Sequence, residues 1–156
     1  MRRCLCLPVL LLLACGGTRA PASKPIPDTA MADLLVTRGS QVILRLVVEI
    51  AETPADRAQG LMARPTLGRD KGMAFLFDSE TTGPFTMKNT LIPLDIAFWD
   101  RSLLVVDVKM MTPCEQDPCP LYQSSGTFFG AVEANAGALT TPGVTAGDRV
   151  TLRRRS

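Results

Sequence analysis

"LLVTRGSQVILRLVVEI", residues 34–50, sets the fold class. Val42, Leu44, Leu46, Val48 and Ile50 alternate with Gln41, Arg45 and Glu49. Period two over so many residues is the mark of a strand with one face in a core and the other largely wet. Gly39-Ser40 interrupts the run just before it. A glycine at the first central position suits a two-residue hairpin turn, so residues 34–38 form the partner strand.

The same grammar continues along the chain. "GMAFLF" (72–77), Phe85–Lys88, Leu94–Asp100, Leu103–Met111, Phe128–Asn135 and "AGDRVTLRRR" at the C-terminus all read as short strands. Helical signals are few. "TPADRAQGLMAR" begins with Thr53 as N-cap, Pro54 in the first turn and Asp56 near the positive end of the helix dipole. Its apolar stripe is Ala55, Ala58, Leu61 and Met62. "AGALTTPG" holds at most a turn or two of helix. The expectation is a single mostly-β domain, a closed or nearly closed barrel or sandwich with one or two short helical insertions. There is no internal repeat.

Before this domain the chain changes character. "MRRCLCLPVLLLLAC" has a basic start and an apolar run too short to span a bilayer as a helix. Residues 1–14 thus read as a signal peptide. "LLAC" resembles the lipobox of bacterial lipoproteins, which implies Cys15 as the lipid-bearing N-terminus. Residues 15–32, rich in Pro, Ala, Ser and Thr, read as a flexible tether, and the domain as 33–156. The expected location is extracytoplasmic, on a bacterial membrane and held there through the lipid.

Composition excludes several chemistries. The 156-residue chain contains no histidine, so serine or cysteine hydrolysis assisted by histidine is out of reach. It has 17 Lys+Arg and 15 Asp+Glu; losing Arg2 and Arg3 with the signal leaves 15 against 15. Such a neutral balance gives no sign of a nucleic-acid partner. Cys114 and Cys119 are the two thiols left in the domain, and an oxidising compartment makes a disulfide their default state. A metal centre is not expected there. Met62, Met73, Met87, Met110 and Met111 read as gap fillers in an aromatic-poor core rather than as copper ligands. No cofactor is indicated.

The order of "VEIAETPADRAQGLMAR", "GMAFLF", "FTMKNTLIPLDIAFWD", "PCEQDPCPLY", "VEANAG" and "GDRV" resembles domain of unknown function family 192, over about Val47 to Leu152. "GLM…R" with "MKNT…PLD" is the distinctive part. The resemblance implies a small mostly-β domain, often exported, and brings no activity with it. The family pattern tends to carry an aromatic where Thr86 stands.

Polar residues at those motif positions, Arg64, Lys88, Asn89, Asp95, Glu133 and Asn135, are candidates for one cluster. They could pin loops, with Asp95 holding backbone N–H groups and Arg64 as its cation. They could line a ligand pocket. Asp95 and Glu133 could also act as an acid/base pair on envelope glycans. The leading expectation is a ligand-binding or accessory module for an unknown small molecule or envelope protein. The alternatives are a histidine-free hydrolase and a structural partner of another envelope protein.

Overall fold

The computed structural model describes residues 30–155. The expected signal peptide, Cys15 and most of the tether lie outside the described residues. In chain order the elements are β1 (Met31–Arg38), β2 (Gln41–Ala51), α1 (Pro54–Gln59), β3 (Lys71–Thr81), β4 (Phe85–Thr86), β5 (Leu94–Trp99), β6 (Val105–Met111), β7 (Leu121–Tyr122), β8 (Phe128–Asn135) and β9 (Arg149–Arg154). The domain starts before Asp33. Ala32 is fully buried and pairs with Val48 on one side and Arg154 on the other.

Seven strands form one sheet in the order β6-β5-β8-β3-β2-β1-β9, and β4 pairs with β7 in a second, small sheet. The large sheet is not closed by a continuous ladder, yet its two edges touch. Leu104 bridges Arg149, and Val105 N donates to Asp148 O while Val150 N donates to Leu103 O, both at 2.8 Å. The buried Asp148 carboxylate fixes this seam. It accepts from Arg38 Nε and Nη2 at 2.8 Å each and from Thr145 N at 2.9 Å. The Arg38 guanidinium holds its carboxyl below the usual aspartate range.

The β1–β2 hairpin turns at Gly39, whose φ of 58° lies in the left-handed region that glycine enters without strain. Leu46, Val48 and Ile50 are buried as their alternation requires, while Val42, beyond a register shift at Val36/Thr37, is 36% exposed. β2 and β3 run parallel. Parallel neighbours need a crossover, and the segment carrying α1 supplies it.

Thr53 caps α1 as expected, accepting from Asp56 N. The helix is shorter than its motif: it ends at Gln59, and Gly60 closes it at φ 46°. None of its residues is buried, so Ala55 and Ala58 form no core stripe. Leu61 is buried, but from the loop beyond the helix. Residues 137–143 form turns rather than a helix.

β5 is enclosed on both faces: all six of its residues are buried, Asp95 included. Leu94, Ile96 and Phe98 join a cluster with Met73, Phe75, Met87, Phe128 and Ala131. Ala97 and Trp99 join the other cluster, with Leu34, Val36, Leu46, Val48, Val132 and Leu139. The strands β3, β5 and β8 therefore separate two cores. Trp99 fits because Gly130 stands opposite it; a Cβ there would fall 2.4 Å from the indole.

An aromatic-walled cavity with one buried acid

The phenylalanines concentrate on one side of the sheet. Phe75 and Phe85 meet edge to face at 5.1 Å between centroids. Phe77 meets Phe128 at 5.5 Å, and Phe98 lies 4.8 Å from Phe128. Over this face pass the loop after α1 and the β4–β7 pair. Backbone pairing of Phe85 with Tyr122 and of Thr86 with Leu121 holds β4 in place.

Between sheet and covering segments lies a cavity of about 310 Å³. Its wall includes Leu61, Phe75, Phe77, Phe85, Thr86 and Thr90, with Arg57 and Glu133 also in the lining. Arg57 Nη1 donates to the carbonyls of Glu52 and Leu76, and its guanidinium sits 4.9 Å from the Phe77 centroid. These contacts occupy the arginine, which makes no ion pair with Glu133.

Glu133 is 5% exposed. Its cross-strand neighbours, Met73 on β3 and Ile96 on β5, are apolar. No ion pair or hydrogen bond from the described residues reaches its carboxyl, and burial alone pushes its pKa up to about 8. It is therefore mostly protonated at neutral pH. Taking a carboxylate out of water without a partner is costly, so the neutral form prevails.

The other candidates lie elsewhere. Arg64 pairs with Glu49, Nη2 to Oε2 at 2.7 Å, and not with Asp95. Lys88 reaches the exposed Asp117 at 3.0 Å. Asn89 has φ 59°, and its carbonyl accepts from Ala63 N at 2.8 Å. Asn135 Nδ2 donates to the Leu67 and Gly68 carbonyls at 3.1 and 3.0 Å. Asp95 Oδ2 accepts from the backbone N–H of Gly137, Leu139 and Thr140 and from the Thr140 hydroxyl, all within 2.9–3.0 Å.

The six residues thus form no common cluster. Asp95 faces Ala134 across the β5–β8 ladder, whereas Glu133 faces Ile96. Successive residues of a strand point to opposite faces. Asp95 and Glu133 lie on opposite sides of the sheet, so one glycosidic bond cannot sit between them. Of the six, only Glu133 lines the cavity. The aromatic wall and Arg57 were not among the candidates, although the signal was present: a chain with six phenylalanines places three in residues 75–85.

The fold and this cavity define a small mostly-β domain with one aromatic-walled pocket roofed by a two-stranded flap. The chain belongs to the DUF192 family (uncharacterized ACR), whose model matches residues 34–152. That match reaches further toward the N-terminus than the motifs alone. Similar solved structures include two of bacterial proteins. One is a protein of unknown function from Novosphingobium aromaticivorans, with TM-score 0.71 and 32% identity, covering 86% of this chain and 94% of that one. The other, from Sinorhizobium meliloti and provisionally named a transcription regulator, has TM-score 0.71 and 30% identity, covering 79% and 93%. No curated protein matches the chain.

Proposed function

We propose that this chain is a lipid-anchored, extracytoplasmic domain that binds a small molecule in the cavity beneath β4. The observation that carries the binding reading is the cavity itself. Its size falls at the low end for small-molecule sites, its wall is largely apolar, and one buried acid without a partner among the described residues is available to orient a guest. The anchoring reading rests on the basic start, the short apolar run and "LLAC". An oxidising location agrees with the Cys114 and Cys119 sulfurs, which lie at disulfide distance with Cα atoms 5.5 Å apart. That link would close the loop leading into β7, the strand that holds β4.

N-phenyl-1-naphthylamine, a neutral apolar dye, tests the cavity. Saturable one-site fluorescence is expected, and Thr86→Trp, which fills the space beside Phe85, should abolish it. A non-saturable signal, or one that T86W leaves unchanged, removes the cavity as a site. Anchoring is tested separately: Cys15→Ser should release the protein from membranes or block its processing. A variant that is processed and sediments with membranes like the parent overturns the lipobox reading.

A further inference from the structure

We infer that the guest of this cavity is an organic cation, a primary or secondary alkylammonium whose head pairs with the Glu133 carboxyl while its carbon chain lies along the phenylalanine wall. The inference rests on the cavity being a binding site and names the class of ligand.

Three observations converge. First, among the described residues Glu133 is the only acid in the lining, and none of them gives it a counter-ion. The elements packed against it present Met73 from β3 and Ile96 from β5. The one charged side chain sharing the lining, Arg57, is bound to two carbonyls. A buried acid is stabilised in its charged form by a cation at hydrogen-bond distance, and among the described residues none supplies one.

Second, the wall beside the acid is aromatic. Phe75, Phe77 and Phe85 line the same space, and aromatic faces attract cations once water is excluded. Arg57 over Phe77 shows one of these rings already serving a cation in this way. Third, Thr90, 7% exposed, also lines the cavity. Its hydroxyl offers an acceptor to an ammonium N–H left over after Glu133 has taken one.

The binding step balances simply. The ammonium keeps its protons, the Glu133 carboxylic acid loses one to solvent, and an ion pair forms: RNH3⁺ plus HOOC–Glu133 gives RNH3⁺·⁻OOC–Glu133 plus H⁺. Affinity for a cation must then rise with pH until Glu133 is ionised in the free protein. A neutral guest of the same shape shows no such rise.

The test is calorimetric titration of the mature protein with n-butylammonium chloride and, in parallel, n-butanol, at pH 6 to 9. At pH 8 and above the ammonium should bind roughly tenfold tighter than the alcohol. Below about pH 8 its affinity should fall toward tenfold per pH unit, with close to one proton released per site near pH 7. Glu133→Gln should erase both the advantage over butanol and the proton release. If butanol binds as well as the ammonium, or the advantage survives E133Q, the cation assignment is overturned. If dye binding saturates while butylammonium fails to bind, the cation assignment falls and the cavity reading stands. If neither the dye nor either butyl probe binds, both fall together.

Discussion

Asp95 and Glu133 are two buried carboxyls on adjacent strands of one sheet, and they have opposite circumstances. Asp95 is wholly buried and directs one oxygen at four donors from residues 137–140. Glu133, on the other face, meets methionine, isoleucine and a cavity. Both appear in the sequence as an acid inside a strand. The difference lies in what the far side of the sheet brings to each. A turn that returns over Asp95 with its N–H groups pointing inward makes that acid a structural clasp. A flap that leaves room over Glu133 leaves that acid facing a cavity.

The largest expected effect breaks the Asp95 side of the comparison. Asp95→Ala takes the acceptor from the N–H groups of Gly137, Leu139 and Thr140, the second of them buried and the other two partly so. Each buried donor left unmade costs about 1–3 kcal/mol, and partial collapse or a water will recover some of that. Asp95→Ala should therefore lower the unfolding free energy by about 3 kcal/mol, and Asp95→Asn by about 1–3 kcal/mol, since the amide oxygen still accepts. Urea denaturation with unchanged m-value measures both. If D95A unfolds at the parent's midpoint, the clasp is not what holds residues 137–140.

Glu133→Gln sharpens the other side, and its sign is reversed. Glu133 titrates near 4.5 when exposed and at about 8 in the folded protein. Between those values the folded state holds a proton that the unfolded state has lost, so rising pH favours unfolding. The full slope for such a group is about 1.4 kcal/mol per pH unit. The amide introduced by E133Q cannot ionise, so the variant should match the parent near pH 4.5 and gain on it as pH rises. Water entering the cavity softens the slope, leaving a gain of about 2 kcal/mol at pH 7. The chain has no histidine to confuse this window. Melts at pH 5, 6, 7 and 8 check it; a constant gap between parent and E133Q means Glu133 already ionises normally.

How far the sequence reached follows from the same contrast. Local patterns were legible because their causes are local. Alternation placed Leu46, Val48 and Ile50 inward, Gly39 turned the hairpin, and Thr53 capped α1. Asp95 as a holder of N–H groups was also within reach, since a carboxylate just after Pro93 has to accept from something. Its actual donors lie more than forty residues away in the chain, and nothing near Asp95 names them. Arg64 looked like its cation because the "GLMAR" segment had to pack on this sheet. That segment does pack there, through Leu61, but on the Phe face, where Arg64 meets Glu49 instead. The parallel β2–β3 pairing, the burial of both faces of β5 and the two-residue β7 are likewise set by strand order, which no window of residues encodes.

The smallest expected effect concerns Lys88, which the sequence placed beside these acids and the structure sets apart from them. Its ammonium meets Asp117 at 3.0 Å, with 54% and 66% of the two side chains exposed. Exposed pairs gain little, because water screens the attraction and two long side chains lose freedom to hold it. Lys88→Gln should shift stability by less than about 0.5 kcal/mol, and less still in 0.5 M salt. Dye binding in the cavity should also be unchanged, since Lys88 is not in its lining. This variant is the control that separates position in a motif from position in the fold. If K88Q loses binding while D95A keeps it, the guest is held by Lys88 outside the cavity lining, and the assignment of the Glu133 cavity as the site has to be given up.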